Sequence, residues 1–132
     1  MKKFGVVEKQ FEYKGHDCIC VFTHLGFRNG YVSVKENKDY DDYDIHCNCG
    51  LTYNGKLPEY YNPKAQYYIG FDCGHICDGY DYDTALKYGL INEKQYYALM
   101  EMELRLSTFL LPVRSLEYVE NECRKIVDQL EV

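Results

Sequence analysis

Two short runs hold most of the side chains able to do chemistry: His46-Cys47-Asn48-Cys49-Gly50-Leu51-Thr52-Tyr53 and Gly70-Phe71-Asp72-Cys73-Gly74-His75-Ile76-Cys77-Asp78. Cys, His and Asp are the usual metal ligands, but Cys47-x-Cys49 with Cys73-x3-Cys77 fits the common zinc pairings poorly. Asp72, His75 and Asp78 are spaced three apart. A tight turn would bring them together as a weak set for a divalent metal or as a base with its orienting carboxylate. The competing reading, which the residue types favour slightly, is that the two aspartates cap local backbone and His75 bonds within the fold. A Cys73 thiolate beside His75 is the least favoured enzyme reading, because Gly74 suggests a turn and no oxyanion-stabilising group stands nearby. No resident cofactor is expected, and the balance leans away from catalysis.

The same residues suit binding better. Asn48, Thr52 and Tyr53 would supply hydrogen bonds and a stacking ring, while Asp72, His75 and Asp78 would orient a small polar or nucleotide-like ligand. Arg28, Arg105, Arg114 and Arg124 are the guanidinium partners a phosphate would need. Interleaved Tyr and Asp in Asp39–Asp44 and Gly79–Asp83 read first as two solvated loops, and second as an acidic surface that covers a basic protein patch. Cys18 and Cys20 read as one core face of a strand, with His16 and His24 at its turn ends.

Composition narrows the classes. A chain of 132 residues has room for one core and not for two ordinary domains. One domain, 1–132, is expected, with a β-rich part over 1–82 and a helical part over 83–132. Fifteen Lys and Arg against twenty-one Asp and Glu leave a formal charge of -6, which opposes a nucleic-acid backbone. No stretch approaches the ~20 apolar residues of a membrane span, and none follows the two N-terminal lysines as a signal peptide would require. Seven cysteines, an odd count without a signal sequence, then read as reduced thiols, which suggests the cytosol. Fifteen tyrosines and no tryptophan suit sheet faces, interfaces and stacking alike.

The elements that must position these residues change character near Asp83. Before it, β-prone segments are punctuated by Gly, Asn and Asp. A hairpin turns through Lys14-Gly15-His16-Asp17 into a strand over Cys18–Thr23, Asn29-Gly30 reads as a tight turn ahead of a third strand, and Ile45–Tyr53 and Gln66–Phe71 read as further strands. After it, Asn92 caps a helix expected over Glu93–Phe109, ended by Pro112, and Ser115 caps a last helix. That helix has apolar positions at Leu116, Val119, Cys123, Ile126, Val127 and Leu130. Strands first and helices last predict an α+β domain, an antiparallel sheet from the N-terminal ~80 residues with two C-terminal helices packed on one face. The apolar stripe of the last helix and the tyrosines make a homodimer reasonable.

Several segments also match in order a pattern seen elsewhere: Gly30-Tyr31-Val32, Asp39-Tyr40-Asp41-Asp42, Gly50-Leu51-Thr52-Tyr53, Gly70-Phe71-Asp72-Cys73-Gly74-His75 with Asp78, and Leu116-Glu117-Tyr118-Val119-Glu120 with Glu122-Cys123. On these the chain resembles a widespread family of small uncharacterised proteins encoded by bacteriophages and prophages. The family pattern reads His-Gly-Gly ahead of Leu-Thr-Tyr, where this chain has Asn48, Cys49 and Gly50. That departure weakens a catalytic or metal-binding reading and leaves a hydrogen-bonding one. What the resemblance implies is an accessory protein of counter-defence type, which binds either a nucleotide immune signal or a host defence protein. A metal-dependent hydrolase is the remaining alternative.

Overall fold

A computed structural model of the chain describes residues 5–35, 40 and 45–130. The acidic residues Asp39, Asp41, Asp42 and Asp44 lie outside the described residues. Five strands form one antiparallel sheet: β1 (Gly5–Tyr13), β2 (His16–Thr23), β3 (Arg28–Val34), β4 (Tyr53–Lys56) and β5 (Tyr67–Asp72), in the order β1-β2-β3-β5-β4. Three helices follow: α1 (Tyr82–Lys87), α2 (Glu93–Leu106) and α3 (Leu116–Leu130). The fold is α+β, with the sheet and helices in the expected order.

Period-2 alternation in the strands creates two apolar faces. On one, Cys18, Cys20, Val32, Ile69 and Phe71 meet Val119, Cys123, Ile126 and Val127 of α3, all buried. This contact is close. A Cβ on Gly30 would stand 2.6 Å from the Phe71 ring and 2.9 Å from Cys123 Sγ, so only glycine fits beneath the helix. On the other face Ile19, Val21, Tyr31 and Tyr68 are covered by Leu57 and Tyr61, from the loop between β4 and β5.

Local chemistry accounts for most boundaries. The first hairpin forms, but its turn is tighter than the four residues expected: Lys14 (φ +51°) and Gly15 (φ +83°) close it alone, and His16 and Asp17 already pair with Tyr13 and Glu12. Asn29-Gly30 is not a turn. Both residues lie inside β3, paired with Asp72 and Phe71, and the chain reverses instead at Gly26, whose φ is +95°. A bulge between Val7 and Lys9 leaves Glu8 outside the ladder register. Its carboxylate meets Arg28 Nε at 2.6 Å in a nearly buried ion pair and accepts from Tyr88 Oη at 2.6 Å.

Asn92 caps α2 as expected, and the structure adds a reciprocal box with Gln95. The helix stops at Leu106 because Ser107 turns left-handed (φ +58°). Ser115 Oγ accepts from Tyr118 N at the start of α3. The apolar stripe of α3 is therefore covered by its own sheet and is not left for a partner. Beside single exposed side chains such as Ile76, the uncovered apolar surface gathers on α2 and the 3-10 turn after it, where Tyr97, Leu104, Leu106 and Leu110 are each about two-thirds exposed or more. Among the described residues no helix is long and apolar enough to cross a membrane.

Candidate functional site

The two reactive runs do meet, at the end of the sheet where β5 finishes. Residues 45–52 are not the expected strand. They form a turn-rich segment lying along α3, with only Tyr53–Lys56 joining the ladder. Ile45 is buried in the core, Gln129 brackets the backbone of His46 at 2.6 and 2.7 Å, and Asn48 reaches Tyr118 at the other end of the helix. Without a strand, Cys47 and Cys49 do not share a face.

Asp78 is the centre of the cluster and is 1% exposed. Its Oδ1 accepts from Arg114 Nε at 2.9 Å, and its Oδ2 accepts from His75 N at 3.1 Å and Asn48 Nδ2 at 3.3 Å. Asn48 is buried as well; it donates to Asp72 O and accepts from Tyr118 Oη at 2.8 Å. Arg114 lies over the Tyr118 ring, 4.9 Å from its centroid. Burial, joined by the nearby Asp78 charge, raises the Cys73 pKa well above the ordinary thiol range, so Cys73 is a poor nucleophile. Asp78, Asn48, Arg114 and Tyr118 thus form a satisfied buried network that ties the 45–52 segment, the turn after β5 and α3 together.

The proposed ligand set divides accordingly. Asn48 and Asp78 are structural, their hydrogen-bonding capacity turned inward. Asp72 caps the next turn through Gly74 N at 3.0 Å, and its Oδ1 lies 3.3 Å from His75 Nε2 without hydrogen-bond alignment. Thr52 is exposed at the sheet edge. Tyr53 belongs to the opposite face, where its ring meets Tyr31 edge-on and its hydroxyl donates to Lys56 O. Asp78 cannot serve in a metal triad with Asp72 and His75, since both its oxygens are taken. Among the described residues no three His, Cys, Asp or Glu side chains gather as a metal set.

The arginines are also committed. Arg28 holds Glu8, donates to Arg114 O and lies over Phe22; Arg105 pairs with Glu101; Arg124 packs over Phe11 and bonds Asn121. Only Arg114 belongs to the cluster. The Gly79–Asp83 segment is no solvated acidic loop either. Gly79 pairs with the Val113 segment, Tyr80 and Tyr82 stack, and Asp81 caps α1 through Thr84 N.

A groove of about 760 Å³ lies at the opposite end of the sheet, where β1 meets β2 and where β3 ends beside the start of β5. Lys14, Lys35 and Lys64 line it with His16, Ser33 and Gln66. Asn62, 2% exposed, holds this wall by bonding Gln66 N and O, while Ala65 turns left-handed (φ +53°). Asp17 N donates to Ser33 Oγ at 2.8 Å, and His16 Nδ1 is 2.7 Å from Ser33 O. Gln66 Nε2 donates to Asp17 Oδ2, whereas the buried Gln66 Oε1 has no hydrogen-bond partner. Sequence reading missed this groove because its lysines come from three distant segments without a motif. The one available signal was the concentration of lysine at strand ends.

The fold and these two regions define a small α+β domain with a rigid polar hub at one sheet end and a cationic groove at the other. No family model, curated protein or solved structure matches the chain.

Proposed function

We propose that this chain is a phage or prophage accessory protein that binds a small anionic, nucleotide-like ligand, and that the ligand sits in the lysine groove. The observation that carries the reading is the groove itself. Its volume of about 760 Å³ lies within the range of small-molecule sites, and three lysines line it in a chain of net charge -6. Lysine supplies the point charge for phosphate. Asp128 and Asp17 hold Lys14 and Lys64 at 2.6 and 3.7 Å, and an anion would take over these exposed amines. Counter-defence, by sequestering a host nucleotide signal in the bacterial cytosol, is the role this chemistry and the phage resemblance support together.

Titration calorimetry with cyclic dinucleotides and ADP-ribose, following a thermal-shift screen, tests the reading. Binding by the wild type should weaken at least tenfold in Lys35→Glu/Lys64→Glu and stay within twofold in Asp72→Asn. Absence of binding across the panel, or equal affinity in the double variant, overturns it.

A protein-contact role is favoured by a different observation, the exposed apolar side chains on α2 and its following turn. We assign this surface to a second copy of the chain. A two-fold pair would bury Tyr97, Leu104 and Leu106 of both copies against each other.

A further inference from the structure

We propose that Cys49 and Cys77 form an oxidisable dithiol, a modification site that a low-molecular-weight disulfide converts into an intramolecular bridge between the 45–52 segment and the turn after β5. The two sulfurs lie 4.0 Å apart on residues separated by 28 positions, and both residues are exposed. A bond of about 2.05 Å needs only a rotamer change and a small shift of either turn.

The other thiols are differently placed. Cys18, Cys20, Cys73 and Cys123 are buried in the core and Cys47 is partly buried against it. Cys49 also holds φ +55°, the left-handed region where glycine is the ordinary occupant. A side chain is kept there at the cost of backbone strain, and it points the thiol at its partner.

The chemistry balances as two exchanges. One thiolate attacks the small disulfide, forms a mixed disulfide and releases the first thiolate. The second cysteine, once deprotonated, attacks the protein sulfur of that mixed disulfide and expels the second. Two electrons pass from the dithiol to the small disulfide, which leaves as two thiols. Desolvation and the hydrogen bond between the Cys49 and Cys77 thiols hold the Cys49 pKa above its ordinary value, so closure quickens as pH rises. The bridge would fasten together two of the segments that the Asp78 network already joins, and this inference does not depend on the groove or its ligand.

The test uses the full chain in oxidised and reduced glutathione at varied ratio, with acid quench, alkylation, intact mass and peptide mapping. Oxidised glutathione should yield a species two hydrogens lighter, with Cys49 joined to Cys77. Its Tm should rise by roughly 5–15 °C, and dithiothreitol should reverse both changes. Cys49→Ser and Cys77→Ser should each stop at a single mixed disulfide. Cys49→Gly, which removes the thiol and relieves the backbone, should fold and behave the same way. The proposal is overturned if no bridge forms in oxidised glutathione alone, if other cysteines pair instead, or if a bridged species persists in Cys49→Gly.

Discussion

Replacing Asp78 measures how much the buried hub contributes to the fold. Asp78→Ala removes an acceptor for three donors: Arg114 Nε at 2.9 Å, His75 N at 3.1 Å and Asn48 Nδ2 at 3.3 Å. The guanidinium can rehydrate, since about a quarter of the Arg114 side chain is exposed, and Asn48 keeps its bond to Asp72 O. The His75 N–H has no substitute on hand, and the site lost a fully buried carboxylate. One charge-assisted bond at ~2 kcal/mol and two others near 1 kcal/mol predict a loss of about 3–4 kcal/mol, against a total stability of order 5–15 kcal/mol. Asp78→Asn keeps the shape but must turn an amide N–H toward one of the donors, so a loss of about 2–3 kcal/mol is expected. Urea unfolding followed by circular dichroism, paired with Arg114→Met in a double-mutant cycle, should give a coupling of at least ~1 kcal/mol. A change below ~0.5 kcal/mol for Asp78→Asn, or zero coupling to Arg114, would refute the assignment of this residue as the hub.

Two further outcomes follow from the helices. Glu103 is the buried residue of α2; desolvation, aided by the Asp83 charge, raises its pKa. A folded pKa above the unfolded one means that the group favours folding when protonated and loses that contribution as pH rises through the folded value. Glu103→Gln should therefore raise the urea midpoint at pH 7 and give no gain below about pH 4, where the wild-type carboxyl is itself neutral. Light scattering at tens of micromolar should find a dimer that Tyr97→Glu/Leu104→Glu dissociates into folded monomers; a monomeric wild type would remove the α2 contact.

Much of the architecture was legible from pattern. The Lys14-Gly15 hairpin, the Asn92 cap and the apolar spacing of α3 are local signals, and local signals survive folding when tertiary contacts agree with them. Asn29-Gly30 misled because a turn dipeptide also suits a strand that must pass closely beneath a helix, where Gly30 lies against Phe71 and Cys123. Ile45–Tyr53 misled because Ile45, Cys47 and Leu51 serve the core on the α3 side, and only Tyr53 reaches the sheet ladder.

By itself, the sequence determined the order of elements, the sheet-and-helix class and the acidic balance, all of which follow from side-chain type and spacing along the chain. Only the tertiary structure decided what the two Cys, His and Asp runs do. It saturated Asp78 and Asn48 inside a hub, sent Tyr53 to the opposite face, brought Cys49 to Cys77, and gathered lysines from three segments into a groove. The physical reason is that a polar group's availability depends on whether its partners arrive by folding, and those partners lie tens of residues away.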